Sequence, residues 1–245
     1  MMKSDFLVVI PAFNEEKSLP RVIKQLTKIF KLNQLILADD GSTDNSAGIA
    51  KDLGIKILRN PKNLGKGFIL RNAFKVILHK YTHIRWIITF DADGQHNYQD
   101  ILHFFSTLRE NPTLGIIIGK RDYIRMPKKN WISNLLTSHW CKYWLRWTIS
   151  DLQCGFRCYN REALQQILSY GLTKTKFDLE TEILLIAWLL NIKIKEIPIS
   201  TLYIKNHRKS RVTPLLDTVR WMLLILQYGF SLNFIRQIWY RRQLQ

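Results

Sequence analysis

Between residues 6 and 119 short apolar runs alternate with stretches of helical period: FLVVI, a helix, QLILA, a helix, IKIL, a helix, WIITF, a helix and GIIIG. Runs that are apolar throughout, instead of on every second residue, belong to strands buried on both faces, and strand–helix alternation predicts a parallel α/β sheet covered by helices. The first helical stretch supports this, because Leu19, Val22, Ile23, Leu26, Ile29 and Phe30 fall on one stripe. Its opposite face is Lys and Gln, hence solvated. With 245 residues, 47% of them hydrophobic, the chain supplies the core of one catalytic-size domain.

Strands buried on both faces leave their ends for chemistry, and open α/β sheets bind ligands beyond the carboxyl ends of their strands. Polar motifs follow the first, second and fourth runs: PAFNEE, DDGSTD and DADGQH. Three acidic clusters therefore converge on one edge, in a chain of 37 Lys+Arg against 19 Asp+Glu and formal charge +18. Carboxylates crowded together repel unless a cation offsets them. Asp91 and Asp93 flank one small residue, so both reach a turn-held hard cation, Mg²⁺ or Mn²⁺, with Gln95 or water completing an oxygen shell. On its own the D-x-D is equally well read as a polar turn ending a strand. NLGKG at residues 63–67 lacks the GxxxxGK[ST] spacing of a phosphate-cradling loop, which rejects an ATPase; Lys66 there is read either as reaching a phosphate or as an exposed lysine at a helix entry.

The basic excess requires an anionic partner: nucleic acid, lipid headgroups or a phosphorylated substrate. Duplex binding is disfavoured, since the convergent carboxylates would repel a phosphate backbone at the sheet edge. Three cysteines, Cys141, Cys154 and Cys158, are an odd set without a second ligand pair for zinc, so structural thiols in a reducing compartment are expected. The N-terminus has no signal-peptide pattern, and no segment holds the eighteen or so uninterrupted apolar residues of a spanning helix. The segments WISNLLTSHWCKYWLRW and PLLDTVRWMLLILQYGFSLNFIRQIWYRRQLQ combine tryptophan with Lys and Arg, as suits helices lying at a bilayer interface; packing on the core is the rival for each.

In order, VVIPAFNEE, ILADDGSTDNS, NLGKG, ITFDADGQH, IIIGKR and DLQCGFRCYNREAL resemble the family 2 glycosyltransferases, and among them the dolichyl-phosphate mannose synthase-like branch, which moves sugars onto polyprenyl phosphates. The resemblance covers about residues 6–211. It implies a GT-A fold, a Rossmann-like and mostly parallel sheet flanked by helices, as a catalytic domain over 1–211. A basic, aromatic and amphipathic C-terminal helical segment over 212–245 would lie at the membrane. By the same resemblance Pro11, Phe13, Glu15 and Asp40 line the base and ribose of a nucleotide sugar. Asp91, Ala92 and Asp93 meet its diphosphate, with Asp91, Asp93 and Gln95 holding the metal. Arg121 sits at the donor and acceptor phosphates, while Lys205, Ser210 and Arg211 in YIKNHRKSRV contact the acceptor phosphate.

The implied reaction is an inverting, metal-dependent transfer from a GDP- or UDP-linked sugar to a polyprenyl (dolichyl or undecaprenyl) phosphate, with Asp91, Asp93 and Arg121 as the catalytic set. Such an acceptor is already anionic and needs no enzyme base. Asp151 lies where relatives with hydroxyl acceptors carry an activating carboxylate, which leaves two alternatives open: a base for a hydroxyl acceptor, or a structural group. The expected location is the cytoplasmic face of the membrane, held peripherally or through an integral-membrane partner. Two positions depart from the branch: Cys154 stands where Ser commonly precedes the Gly of its SGFR motif, and Ser133 near where an arginine is expected. An NDP-sugar-forming nucleotidyltransferase lacks its glycine-rich N-terminal signature here, and a processive polysaccharide synthase lacks Gln-x-x-Arg-Trp.

Overall fold

The structure, a computed structural model, describes residues 3–122, 132, 135–136, 138–139, 142, 149–202 and 219–228. The strands are β1 (Phe6–Ala12), β2 (Leu35–Asp39), β3 (Lys56–Arg59), β4 (Trp86–Thr89), β5 (Ile116–Arg121), β6 (Arg157–Asn160) and β7 (Ile194–Ile199). They form one sheet in the order β3-β2-β1-β4-β6-β5-β7. The helices are α1 (Leu19–Leu26), α2 (Ser46–Asp52), α3 (Lys66–Lys80), α4 (Ile101–Glu110), α5 (Arg161–Tyr170) and α6 (Leu179–Leu189), with helical backbone again over 219–228.

All five apolar runs are strands, and every residue of β1, β2 and β4 is buried. Their pairings are parallel, as is that of β5 with β7; β6 enters between β4 and β5 antiparallel to both. The sheet is thus the mostly parallel α/β sheet that the sequence predicts, with two strands its periodicity did not announce. β6 is the four-residue RCYN, too short and too polar for an apolar run, and β7 alternates in burial because it is an edge strand.

The stripe of α1 is buried at Leu19, Val22, Ile23 and Leu26. The helix stops at Leu26, yet the N–H groups of Ile29 and Phe30 still bond to Leu26 O at 3.0 and 2.9 Å, so the turn continues and Phe30 stays in the core. Aromatic contacts brace the end of β4: the ring of Phe156 lies 5.0 Å from Phe90 and 4.5 Å from Phe104. Residues 219–228 bury Trp221, Leu224 and Ile225 on one helical face, and Leu224 and Ile225 join the main core. The Tyr228 hydroxyl donates to Glu182 on α6 at 3.1 Å. Val219 and Leu223 face outward, 49% and 60% exposed. Residues 219–228 therefore pack through one face and expose Val219, Arg220, Leu223 and Gln227 on the other, a face of mixed polarity. Among the described residues no helix is long and apolar enough to cross a membrane. Cys154 and Cys158 are buried free thiols; Cys141 lies outside the described residues.

Candidate active site at the carboxyl edge of the sheet

Since β1, β2 and β4 run parallel, their carboxyl ends share an edge, and hydrogen bonds fasten the loops that follow. Asn14, in the left-handed region at φ 56, donates its N–H to Ser42 Oγ at 2.8 Å and accepts from Thr43 N at 2.7 Å. Glu15 N donates to Ser46 Oγ at 2.8 Å and Glu16 N to Asp44 Oδ2 at 3.1 Å. The Glu15 carboxylate accepts from Ser18 Oγ at 2.8 Å. PAFNEE and DDGSTD thus form one surface, with Pro11 buried and Phe13 and Glu15 partly exposed beside it. At the start of the second loop Asp39 accepts from Ser42 and pairs with Arg59 Nε at 3.0 Å.

Asp40, buried, is committed to the loop ahead of α3. Oδ1 accepts from Asn60 Nδ2 at 2.8 Å and Leu64 N at 2.9 Å, and Oδ2 from Gly65 N at 2.8 Å. These bonds fix the start of α3 and deliver Lys66 to the tip of β4. Lys66 Nζ stands 2.7 Å from Asp91 Oδ1 and 2.9 Å from Glu180 Oε1 of α6. The exposed-lysine reading of Lys66 is thereby corrected: its side chain is 17% exposed, enclosed by charge partners. Burial alone would lower the Lys66 pKa, but the carboxylates of Asp91 and Glu180 raise it well above the ordinary lysine range. Burial would likewise raise Asp91, and Lys66 with His96 instead drives it well below the usual carboxylate range. Both groups are charged.

His96 Nε2 lies 3.4 Å from Asp91 Oδ2, its ring held between Phe90 and Phe156. Asp93 Oδ1 accepts from Gln95 N at 2.9 Å across a turn in which Gly94 takes φ +72, and Arg21 donates to Gly94 O at 3.2 Å. Gly155 lies flat against the pair: a Cβ there would sit 2.7 Å from Lys66 Nζ and 2.8 Å from Asp91 Oδ1. Asp91 Oδ1 is buried and has no hydrogen-bond donor among the described residues other than that ammonium.

This cradle suits a hard divalent cation in its donor chemistry. Among the described residues no three His, Cys, Asp or Glu side chains close on one metal position. The fit is therefore to an ion shared between one or two carboxylates and the phosphates of a ligand, the usual way Mg²⁺ is held.

A further carboxylate, outside the three acidic clusters, meets the end of β5. Arg121 donates Nε to Asp151 Oδ2 and Nη2 to Asp151 Oδ1, both at 2.8 Å, and its backbone N–H bonds Oδ2 at 3.1 Å. Asp151 is wholly buried, and Glu196 of β7 fixes its backbone by accepting from Ser150 N at 2.9 Å and Asp151 N at 2.7 Å. Both Asp151 oxygens thus accept from the Arg121 guanidinium. Behind it the buried Arg157 donates to Cys154 O, Glu180 O and Leu152 O at 2.6–2.7 Å, tying the 152–155 loop to the first turn of α6.

Of the residues singled out in the sequence, Pro11, Phe13, Glu15, Asp40, Asp91, Ala92, Asp93 and Gln95 come to this edge. Arg121 lies at the end of β5, parallel to β4. Lys205, Ser210 and Arg211 lie outside the described residues. The chain reaches Leu202 bonded through its N–H to Gln95 O at 2.8 Å, next to a bridge between His96 and Thr201. Glu180, Glu196 and Arg157 were missed. In KFDLETEILL an acidic residue reads as a solvated position, and nothing local shows that α6 is buried even at Glu180, Thr181 and Glu182.

A family model described as glycosyl transferase family 2 matches residues 7–168. An uncharacterised protein of Methanocaldococcus jannaschii is 33% identical over 205 residues, spanning 82% of this chain and 83% of that protein. The UDP-N-acetylglucosamine–dolichyl-phosphate N-acetylglucosaminyltransferase of Methanococcus voltae is 29% identical, over 80% of this chain and 85% of its own. The dolichyl-phosphate β-glucosyltransferase of Saccharomyces cerevisiae is 26% identical, over 94% and 76%. Among solved structures, glucosyl-3-phosphoglycerate synthase from Mycobacterium tuberculosis, in complex with Mn²⁺, UDP and phosphoglyceric acid, superposes with TM-score 0.71 at 18% identity, over 91% of this chain and 78% of that one. That likeness concerns the fold.

Proposed function

The chain belongs to glycosyl transferase family 2 and is a glycosyltransferase, and from that premise we propose that it transfers a sugar, with inversion, from a nucleotide diphosphate to a polyprenyl phosphate such as dolichyl phosphate. The observation that carries this reading is the meeting, on one sheet edge, of the half-buried Asp91 carboxylate and its cradle with the β1–β2 surface, with Arg121 at the end of β5 held by Asp151. The M. voltae relative is named for a UDP-linked donor, which favours a uridine nucleotide over GDP.

Pro11, Phe13, Glu15 and Asp40 form the base and ribose side of the site, Asp40 acting chiefly by holding the loop that carries Lys66. Asp91 and Asp93, with Gln95, would hold Mg²⁺ or Mn²⁺, which supplies Lewis-acid stabilisation of the departing diphosphate. An acceptor phosphate oxygen attacks the anomeric carbon as the bond to the nucleotide diphosphate breaks. The acceptor is anionic at neutral pH, so no side chain has to take a proton. Arg121 meets its charge with a fork that Asp151 keeps in one orientation. Lys205, Ser210 and Arg211, which follow Leu202 in sequence, are assigned to the same phosphate.

The membrane reading rests on exposed apolar side chains at Ile132, Leu135, Leu136, Val219 and Leu223 and on the basic residues around them. With residues 1–211 as catalytic domain, the 212–245 segment docks through the outer face of its helix on the cytoplasmic leaflet, alone or with an integral-membrane partner. The test is incubation with radiolabelled nucleotide sugars, Mn²⁺ and polyprenyl phosphate, followed by organic extraction. Label in the organic phase that survives mild base and is released by mild acid is expected. Transfer of label to a water-soluble hydroxyl acceptor, with none to lipid phosphate, would overturn the acceptor assignment.

A further inference from the structure

Three separate loops build the slot in which the Lys66 ammonium sits. Asp40 of the β2 loop fixes the backbone just before it through Leu64 N and Gly65 N. Gly65, at φ +104, brings that backbone so near Thr175 that a Cβ would collide with the Thr175 carbonyl oxygen. Gly155 closes the slot from the side, with no room for a Cβ between Lys66 and Asp91. A lysine that merely decorates a helix start needs none of these constraints. Here they hold one ammonium between two carboxylates, Asp91 at 2.7 Å and Glu180 at 2.9 Å.

We infer that Lys66 is a built-in counter-ion on Asp91 and opposes divalent-metal binding until a donor diphosphate arrives. The inference rests on the reading of Asp91 as a metal ligand. An ammonium and a divalent ion on the same half-buried carboxylate repel, because the surrounding protein screens less than water. A diphosphate brings the negative charge that lets both cations stay. Glu180 makes the exchange feasible: when Asp91 turns to the metal, Lys66 keeps one carboxylate and is not left buried and unpaired. Metal and donor then bind as a unit, and the empty site does not collect ions that would have to be displaced.

The experiment is a Mn²⁺ titration of the whole chain without nucleotide, the free ion read by its electron paramagnetic resonance signal, on the wild type, Lys66→Gln and Lys66→Arg. Removing the positive charge is expected to tighten Mn²⁺ binding by about tenfold or more, a change of about 1.4 kcal/mol or more, while arginine stays near the wild type. Lys66→Gln binding no more tightly than wild type, or arginine behaving as glutamine does, overturns the inference. A crystal structure of the wild type with Mn²⁺ and UDP gives a second test that does not depend on the folding of Lys66→Gln. Lys66 Nζ should have left Asp91 beyond the ion-pair range of about 4 Å while remaining on Glu180; an Nζ still paired with a metal-bound Asp91 overturns it. If neither UDP nor GDP forms any Mn²⁺-dependent complex, the donor-site reading itself fails and takes this inference with it. If such a complex forms and Lys66 does not respond as described, the inference alone falls.

Discussion

In the reading proposed above, Asp151 sets the acceptor side of the site through Arg121. Both Asp151 oxygens accept from the Arg121 guanidinium, and Glu196 pins the Asp151 backbone, so the fork on β5 has one orientation. Asp151→Asn keeps the shape but loses a charge-assisted bond worth about 1.5–3 kcal/mol. The expected result is a fall of about tenfold or more in kcat/KM for polyprenyl phosphate with nucleotide affinity unchanged; an equal loss in donor binding, measured calorimetrically, would contradict a role confined to the acceptor side. The thiols give a different kind of prediction. Burial, with the Asp151 carboxylate adding to it, pushes Cys154 up to about 12, and burial pushes Cys158 higher still. Neither is a thiolate at pH 8, so iodoacetamide should leave both unmodified in the folded protein and label both in guanidinium, as peptide mass spectrometry reads it. Alkylation of Cys154 under native conditions would show that the 152–155 loop opens.

Strands and helices decide which of these residues could be found beforehand. The tips of β1, β2 and β4 were legible because a strand buried on both faces has no reason to end in carboxylates unless something lies beyond it, which singles out Asp91 and Asp93; Asp40 was singled out only by the family resemblance. Lys66 was half legible: its place at a helix entry could be read, its enclosure could not. Glu180 and Arg157 were opaque because their environment is made by contacts across the fold. Arg157 sits on an antiparallel strand of four residues and is satisfied by carbonyls of the adjoining 152–155 loop and of the first turn of α6, a pattern without local period. The loops also carry a sharp prediction. Gly155→Ala puts a methyl group where Lys66 Nζ and Asp91 Oδ1 lie within 2.7–2.8 Å, forcing the pair apart. Metal-dependent stabilisation by nucleotide, followed by thermal shift, should be lost in this variant although far-ultraviolet circular dichroism is unchanged; an undiminished shift would mean that the cradle is looser than its geometry.

Over the whole molecule, the sheet brings Asp40, Asp91, Asp93 and Arg121 to the carboxyl ends of its parallel strands, and residues 219–228 bury Trp221, Leu224 and Ile225. Trp221 is buried in the core, so Trp221→Ala should cost about 3–5 kcal/mol of stability in urea unfolding, with a single transition. A loss below about 1 kcal/mol would mean that residues 219–228 rest on the domain only loosely. The outer face of that helix, Val219 and Leu223, together with the basic residues of the segment, should carry the protein to anionic vesicles in a salt-sensitive way, each cation near the surface contributing about 1 kcal/mol. Flotation with vesicles of phosphatidylserine that is unaffected by salt, or absent altogether, would remove the membrane reading while leaving the site intact. The claim on which the rest depends is that the carboxylates beyond β4 grip a donor diphosphate through a divalent ion. Its most direct measurement is calorimetric titration of UDP and GDP, with and without Mn²⁺, into the wild type and Asp93→Asn, a change that keeps the turn bond to Gln95 N and spares the Asp91–Lys66 pair. The account predicts Mn²⁺-dependent binding of at least one nucleotide by the wild type, weakened at least about tenfold in the variant; binding of equal strength without metal, or undiminished in Asp93→Asn, would contradict it.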